Sequence, residues 1–434
     1  MSYVLKRFVQ YKPHSTGVTF TFPALFSDTG LLISHLRFLY SKRNKSPSWL
    51  ERNTFAVELL LQFIDRQQFN FSSATEMLRA FVEALQFGTI HDGRDDSGLF
   101  WSPRRNEDVN VLLHHITSYC DYIDIIHGVD LPQLNPMRKA TYAEERLRWC
   151  AYYRRSSNCF LNHLDNPSNH DFSMSRQVYG PHRHFLDVEE VYRFPEEDIE
   201  RFINDGFTSK SGKVDYGSQL IVMLMHYGGL RLSECFQIYT DDISIDTKTL
   251  GALISVFHPS DGNAPIGGFT NRREFLATKY RLKPRNEYPR NHRLYSGWKN
   301  PALTNQNLSF NVMFCPEEKA IEFTSILQKY LSSKSRRESS SPFLFVNLSG
   351  TPESKKSFIQ KHKRAVNRIG LQSSKFLGTT PHGHRHSYGY RLGQKGFSQL
   401  EIQKAMHHKS PFSCLVYLRP THDEVRQIMR EKSL

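Results

Sequence analysis

Two features are missing from this sequence of 434 residues: a long apolar segment and a pattern of paired cysteines. No uncharged apolar run approaches the roughly 18 residues that a membrane-spanning helix needs. The first residues, MSYVLKRFVQYK, have neither the apolar core nor the small-residue cleavage site of a signal peptide. The six cysteines are scattered, with no pair at metal-ligand spacing, which indicates reduced and buried thiols. We therefore expect a soluble, intracellular protein that does not contact a membrane.

Acidic residues are scarce in the last third of the chain. Residues 281–434 contain 27 lysines and arginines against 10 aspartates and glutamates, whereas the rest of the chain has a small negative balance. A positive field of this size attracts polyanions, and lysine and arginine contacts with phosphate dominate non-specific nucleic-acid affinity. A well-solvated surface gives the same balance, so charge alone does not decide between the two interpretations.

The length accommodates two domains, and the apolar spacing divides the chain accordingly. Residues 1–45 form a basic segment, either an accessory DNA-binding arm or the edge of the next domain. Residues 46–165 repeat apolar side chains at helical spacing, which predicts an all-helical domain. Residues 166–194 are rich in Asn, Ser, Pro and His, which is typical of a linker. A second domain is expected over 195–434.

A buried helix and a tight turn are predicted early in the second domain. The run from 219 to 227 is apolar on every side, and Gly228 and Gly229 end it as C-cap residues would. Arg231 then lies on the turn into a second helix, for which Ser233 is the expected N-cap. Strand-like residues at 250–257 and 308–314 predict a small antiparallel sheet. The predicted fold class is therefore mainly α with a small antiparallel sheet.

Four residues near the C-terminus, each next to a helix-start signal, have the chemistry to move a DNA phosphodiester onto a tyrosine. The start signals are Thr380-Pro381, Ser398 with Glu401 as a capping box, and Ser410-Pro411. Arg385, together with Arg231, can neutralise the non-bridging phosphate oxygens. His382 and His408 can donate to these oxygens or move the nucleophile's proton. Tyr417 is the candidate nucleophile, since a phosphotyrosine ester preserves the energy of the broken bond for religation.

A lysine near this cluster is expected to protonate the departing 5′ oxygen. Lys299 is our first choice, and Lys279 and Lys283 are its competitors. Lys279 and Lys283, together with Arg285 and Lys409, are also expected to contact DNA phosphates.

The order and spacing of these motifs resemble those of the tyrosine recombinases, or phage-type integrases. The resemblance consists of GGLRLSE around Arg231, His382-x-x-Arg385, His408 twenty-three residues later and Tyr417 nine after that. It covers about 195–434, and the helical segment before it resembles the family's core-binding domain. Within the family, the sequence resembles the recombinases of gamma-mobile-trio elements.

The resemblance implies a two-domain clamp around double-stranded DNA and a 3′-phosphotyrosyl link on Tyr417. It implies a homotetramer that exchanges strands between two synapsed sites without metal, ATP or another cofactor. The expected protein is a site-specific recombinase or integrase of a mobile element. It would work in the bacterial cytoplasm, at the nucleoid when on DNA, with accessory proteins of the same element as further partners.

The sequence departs from the family's pattern at three places. Met406-His407-His408 stands where the family usually has Leu-Gly-His, so either histidine can be the functional one. Spacing favours His408, which would leave His407 as a supporting residue at the surface. His384 stands where the family commonly has leucine. Arg231 and His382 are separated by an unusually long 151 residues, and the excess falls where the family's catalytic lysine hairpin is expected. Glu234 matches an acidic residue that orients its neighbours.

Three other interpretations remain open. A metal site formed by His382, His384 and His386 with Cys414 is disfavoured, because alternate positions on a helix point to different faces. A non-catalytic DNA-binding or defence protein could keep the same fold. A topoisomerase IB-like nicking and closing enzyme would use the same residues but need no second DNA site.

Overall fold

The chain divides into two compact units, Met1–Leu186 and Asp187–Leu434. The computed structural model describes residues 4–13, 17–66, 71–127, 133–156, 172–181, 192–333, 336, 339–418, 426 and 429–430. Within these ranges, no helix is both long and apolar enough to cross a membrane.

The first unit begins with a three-stranded antiparallel sheet in the order β1-β2-β3. Its strands are β1 (Leu5–Tyr11), β2 (Phe20–Ser27) and β3 (Gly30–Leu31). Phe22 and Leu25 of β2 are buried in a core shared with Leu50 and Tyr119 from the helices that follow. The N-terminal segment therefore packs on the helical part of its own unit.

Four helices form the centre of the first unit: α1 (Ile33–Ser41), α2 (Pro47–Arg66), α3 (Ala74–Phe87) and α4 (Asn106–His127). The Ser73 side chain caps α3 by accepting a hydrogen bond from the Glu76 backbone N–H at 3.1 Å. Phe63 and Phe81 pack edge to face in the core between these helices, with ring centroids 5.4 Å apart. These helices lie where apolar side chains repeat at helical spacing in the sequence.

Residues 172–181 fall within the predicted linker, but they are part of the first unit. β4 (Met137–Lys139) pairs antiparallel with β5 (Met174–Arg176), and α5 (Tyr142–Ser156) lies between these strands in the chain. Val178 is buried in the helical core. The linker prediction is therefore wrong for this stretch, because paired backbone and an apolar anchor hold it. The parts at 166–171 and 182–191 lie outside the described residues.

The second unit is built around a buried helix. Its chain passes through the 3₁₀ helix Glu196–Asp198, α6 (Ile199–Arg201) and a π-helical turn at Phe202–Gly206 before α7 (Tyr216–His226). Every residue of α7 from Ser218 to His226 is buried, as predicted. α8 (Leu232–Cys235) follows, with Arg231 rather than Ser233 at the N-cap position.

Gly229 makes the close turn between α7 and α8 possible. Its φ is +67°, and a Cβ at this position would lie 2.4 Å from the ring of Tyr388. The turn therefore brings Arg231 against the C-terminal helices.

The predicted small sheet is confirmed as an antiparallel sheet in the order β6-β7-β8. Its strands are β6 (Ile243–Ile245), β7 (Ala252–Phe257) and β8 (Ser309–Asn311), and the 3₁₀ helix Thr240–Asp242 precedes them. Ile254, Val256 and Phe310 point into the core of the unit.

Residues 258–308, between β7 and β8, form a folded insertion with α9 (Arg272–Phe275) and a π-helical turn at Leu276–Tyr280. Arg272 is fully buried, and its Nη1 donates to Oδ2 of Asp242 at 2.9 Å. Its guanidinium carbon also lies 4.2 Å from the ring centroids of both Tyr239 and Phe257. These contacts attach the insertion to the sheet.

Five helices complete the unit: α10 (Lys319–Leu331), α11 (Lys355–Arg368), α12 (Pro381–Gln394), α13 (Gln399–Ala405) and α14 (Leu415–Leu418), with the 3₁₀ helix Pro411–Cys414 before α14. Thr380 is the N-cap of α12 with Pro381 at its first position, and Ser398 and Glu401 form the predicted capping box on α13. α12 packs against both α7 and α14.

Candidate active site

One face of α12 assembles most of the site. His382, His386, Gly389 and Gly393 follow one another at spacings of three or four residues, so they share a face, with Arg385 beside them. The His382 and His386 rings meet at a centroid distance of 4.4 Å. The expectation that all three alternate histidines diverge is therefore wrong for this pair.

His384 lies on the opposite, buried face of α12. Its Nδ1 is 3.3 Å from Nδ1 of His226, and its Nε2 is 2.9 Å from Nε2 of His362. Two other histidines thus satisfy a polar ring at a position where the family commonly has leucine. In the described ranges, no three His, Cys, Asp or Glu side chains are grouped so that they could hold a metal ion.

Glu234 holds the two candidate arginines next to each other. Its Oε1 accepts from Nη1 of Arg231 at 2.7 Å, and its Oε2 accepts from the Arg231 backbone N–H at 2.8 Å. Nη1 of Arg385 lies 3.9 Å from Oε2 of the same carboxylate. One buried carboxylate therefore faces two guanidiniums, which leaves an excess positive charge for an anionic ligand.

Arg385 is also fixed by backbone carbonyls. Nη1 donates to the carbonyl of Gly229, and Nη2 donates to that of Met406 at 2.6 Å. Burial, followed by the charge of Arg231, lowers the pKa of Arg385. The guanidinium is held rigidly in the interior, as pre-organised phosphate stabilisation requires.

Tyr417 is buried, and its helix α14 packs against α12. Its Oη lies 3.1 Å from Nδ1 of His386, and its ring is nearly parallel to that of His408, with centroids 6.4 Å apart. Burial raises the pKa of Tyr417, and the charges of Arg385 and Arg231 oppose the rise. The hydroxyl is therefore protonated at neutral pH and must lose its proton to act as a nucleophile.

Two glycines of α12 make room for Tyr417. A Cβ on Gly389 would lie 2.8 Å from Cε1 and Cζ of the tyrosine ring and 2.9 Å from Sδ of Met406. A Cβ on Gly393 would lie 2.3 Å from the Tyr417 carbonyl oxygen. α14 can therefore lie directly on α12, with the hydroxyl beside His386.

Both candidate histidines after α13 are buried. Nδ1 of His408 is 3.2 Å from Sγ of Cys414. The ring of His407 packs against Phe310 at 3.9 Å, and its backbone φ is +54°. The prediction that His407 lies at the surface is therefore wrong, because its left-handed backbone turns the ring inward.

The charges of Arg385 and Arg231 also act on these two histidines. Burial first, then these charges, lowers the pKa of both His407 and His408 to about 3. Both imidazoles are therefore neutral at pH 7.

Lys299 is an exposed residue of the insertion, and its charge acts on His382. Desolvation, followed by the charges of Arg385, Lys299 and Arg231, lowers the pKa of His382 to about 4. Lys279 is exposed elsewhere on the insertion, where its Nζ lies 5.8 Å from the Phe275 ring centroid.

The other predicted DNA-binding residues differ in exposure. Lys283 and Lys409 are exposed, like Lys279, whereas Arg285 is buried. Arg285 donates to the backbone carbonyls of Leu294 at 3.0 Å, Phe236 at 3.3 Å and Glu353 at 2.7 Å. The prediction that Arg285 binds DNA is wrong, since its donors are used inside the fold.

Residues 306–424 match the model of the phage integrase family. These residues form a tyrosine recombinase domain. The match contains His382, Arg385, His408 and Tyr417, while Arg231 precedes it in the same compact unit.

Several solved structures of recombinases are similar to the chain. The XerH site-specific recombinase bound to difH substrate is 13% identical, with a TM-score of 0.49 over 91% of this chain and 83% of that chain. The Tn1549 transposon integrase in complex with transposon right end DNA is 14% identical, with a TM-score of 0.49 over 92% of this chain and 98% of that chain. A lambda integrase dimer bound to a COC′ core site is 11% identical, with a TM-score of 0.42 over 89% of this chain and 95% of that chain. A search of curated proteins finds no match.

His386 contacts Tyr417, a role that the sequence patterns do not assign to it. They place it only in the disfavoured metal cluster with His382 and His384. Its position four residues after His382 was the available signal, because that spacing puts both rings on one helix face. Contact with Tyr417 depends on α14, whose placement no local pattern predicts.

Proposed function

We propose that the protein is a site-specific recombinase of a mobile element that cleaves and rejoins duplex DNA through a 3′-phosphotyrosyl intermediate on Tyr417. The observation that carries the proposal is the position of this hydroxyl. It lies 3.1 Å from Nδ1 of His386 on α12, and the charges of Arg385 and Arg231, whose guanidiniums Glu234 holds together, act on it. A tyrosine with only a packing role would not need a neighbouring pair of cations with one carboxylate between them.

The chemistry follows from these positions. Arg231 and Arg385 donate to the two non-bridging oxygens of the scissile phosphate and neutralise its charge. Oη of Tyr417 attacks phosphorus in line with the 5′ oxygen, and the bond to that oxygen breaks. His382 and His408, both neutral, donate N–H groups to the same phosphate as negative charge develops on it.

The departing 5′ oxygen takes a proton from Lys299. The charge of Lys299, on the insertion, acts on the imidazole of His382, which supports this choice. Lys279 and Lys283 are competitors for the role, but Lys279 lies against the aromatic residues of the insertion. We therefore assign proton donation to Lys299 and phosphate binding to the other two.

Exposed cations of the second unit form the proposed DNA-binding surface. Lys279, Lys283 and Lys409 contribute to it, and the exposed side of α11 adds Lys363 and Arg364. Such contacts hold the phosphate backbone without reading the bases. We further propose that four protomers synapse two DNA sites and that accessory proteins of the same element direct the reaction.

Covalent trapping tests the proposed function. The full chain is incubated with a nicked suicide duplex from the ends of its own element, and protein–DNA adducts are separated by denaturing electrophoresis. We expect an adduct on Tyr417 that Tyr417→Phe abolishes and EDTA leaves unchanged. The matched control is Tyr390→Phe on α12, which keeps the ring on which Arg193 stacks at 3.5 Å and should retain the adduct.

The outcomes also separate the alternatives. An EDTA-sensitive adduct would contradict the proposal and support metal chemistry. Failure of the wild-type chain to form any adduct would favour a non-catalytic DNA-binding protein. Relaxation of supercoiled plasmids without a specific site would favour a topoisomerase-like enzyme.

A further inference from the structure

We infer that His386 is the general base that removes the proton from Tyr417, an inference that rests on the proposed recombinase function. Its Nδ1 lies 3.1 Å from Oη of the tyrosine, which is the heavy-atom separation that proton transfer requires. His408 instead stacks on the tyrosine ring, with an interplanar angle of 13°.

The protonation states of the two side chains fit this direction of transfer. Burial, followed by the charges of His382, Arg385 and Lys375, lowers the pKa of His386 to about 4. The imidazole is thus neutral at pH 7, and with its proton on Nε2 it presents a lone pair at Nδ1. The protonated Tyr417 hydroxyl can donate to that lone pair.

Bound DNA changes the electrostatics in favour of the transfer. The scissile phosphate brings a negative charge against Arg231 and Arg385, and Arg385 is one of the groups that disfavour a charged imidazole at His386 in the free protein. An imidazolium at His386 is therefore less costly once DNA is bound. The proton moves as the bond from Oη to phosphorus forms, so no free phenolate has to accumulate.

The transfer balances in both directions. In cleavage, the tyrosine proton passes to Nδ1 of His386, the Oη–P bond forms and the P–O5′ bond breaks as the 5′ oxygen takes a proton. In religation, Lys299 takes the proton of the 5′ hydroxyl as its oxygen attacks phosphorus, the Oη–P bond breaks, and the His386 imidazolium returns its proton to Oη. The adjacent His382, whose ring is exposed, connects His386 to solvent.

Two substitutions distinguish a role of His386 as a general base from a role in positioning the tyrosine ring. His386→Asn keeps a hydrogen-bond acceptor near Oη but no base, whereas His386→Ala keeps neither. If His386 is the base, both variants lower the single-turnover cleavage rate by about 10²–10⁴-fold. If it only positions the ring, Asn restores the rate to within a few-fold of wild type, and the inference is overturned.

A second substrate separates the base from the acid. A duplex with sulfur in place of the bridging 5′ oxygen has a good leaving group that needs no proton. We expect this substrate to restore cleavage by Lys299→Ala but not by His386→Ala or His386→Asn. Recovery of the His386 variants on the sulfur substrate would assign His386 to the leaving group and contradict the inference.

The pH profile and chemical rescue complete the test. The His386→Ala rate should climb with pH, because solvent then accepts the proton, whereas the wild-type rate should be flat near neutral pH. Added imidazole should rescue His386→Ala in part. DNA binding by gel shift and thermal unfolding exclude misfolding, and His91→Ala, an exposed histidine of the first unit, is the control.

Failure of the inference differs from failure of the proposed function. A wild-type chain that forms no Tyr417 adduct contradicts the recombinase assignment itself. A wild-type adduct together with His386→Ala and His386→Asn variants that cleave at the wild-type rate contradicts only the role of His386.

Discussion

The two faces of α12 use the same residue type in opposite ways. On the face towards Tyr417, His382 and His386 keep ring nitrogens near an exposed edge and a nucleophile. On the other face, His384 is fully buried and bonded on both nitrogens to His226 and His362. A histidine's role is therefore set by what its nitrogens face, and residue identity alone does not reveal it.

The arginines show the same division. Arg272 and Arg285 are buried, with their donors used by Asp242 or by backbone carbonyls, and they hold the insertion in place. Arg385 also donates to backbone carbonyls, but it faces the Glu234 carboxylate together with Arg231, so two guanidiniums lie side by side with one negative charge between them. We expect the largest losses of cleavage from this adjacent pair.

Arg385→Ala should cause the largest loss among these variants. Removing one pre-organised donor to developing phosphate charge costs about 10²–10³-fold in rate, and the variant also frees the carbonyls of Gly229 and Met406. We expect single-turnover cleavage to fall at least that far, as measured with the suicide duplex. A rate within ten-fold of wild type would contradict the assigned role.

Gly389→Ala should cause the next largest loss, although it adds only one methyl group to the face beside Tyr417. The methyl would push the ring away from His386, and misplacement by about 1 Å can cost on the order of 10²-fold in rate. DNA affinity should be unchanged in a gel shift. The control is Gly396→Ala, whose positive φ strains the loop after α12 without a neighbour within 4 Å.

His384→Gln tests the buried face of α12, where we expect a substitution to lower stability rather than cleavage. We expect a loss of about 1–3 kcal/mol in unfolding free energy, because His226 and His362 lose partners of matching geometry. Cleavage per folded molecule should be nearly unchanged. Thermal unfolding measures the first quantity, and active-site titration of the soluble fraction measures the second.

Stability should also fall in acid. Burial lowers the pKa of His226 to about 4 and that of His362 to about 3. Below the ordinary histidine pKa of 6.5, the unfolded chain therefore binds more protons than the folded chain. Glu196 and Glu200 oppose the shift at His226, while Arg391 reinforces it. The unfolding temperature should be constant above pH 7 and decrease from about pH 6.5 towards pH 4. A temperature that rises in that interval would contradict neutral buried histidines.

Lys283→Ala should have the smallest effect. As an exposed phosphate contact, it should weaken DNA binding a few-fold and reduce the salt dependence by about one charge. Cleavage at saturating DNA should be unchanged. Arg285→Ala is the variant to compare with it, because the loss of this buried side chain should lower the unfolding temperature instead.

Local patterns predicted what local interactions determine. The all-apolar run of α7, the capping box of Ser398 with Glu401 and the proline start of α12 are confirmed, because each depends on neighbours within one or two helical turns. The order of arginines, histidines and tyrosine also indicated the family, which the match over 306–424 bears out.

Long-range partners account for the errors. The sequence assigns Arg285 to DNA binding as an ordinary basic residue, but its hydrogen-bond partners are carbonyls up to 68 positions away in the chain, which no local pattern reveals. His407 was expected at the surface, but a left-handed backbone turns it against Phe310. The contact of His386 with Tyr417 needs Gly389 and Gly393 to let two helices approach, and spacing along the sequence does not encode that approach.

The shared carboxylate of Glu234 has a practical consequence for inactive variants. It closes the turn after α7 through the Arg231 backbone and faces both guanidiniums as well. Replacing Glu234 with a neutral residue would remove the hydrogen bond that closes this turn and would change the positions of both guanidiniums. An inactive variant that still binds DNA is therefore better obtained by a substitution in α14 than by one in the turn.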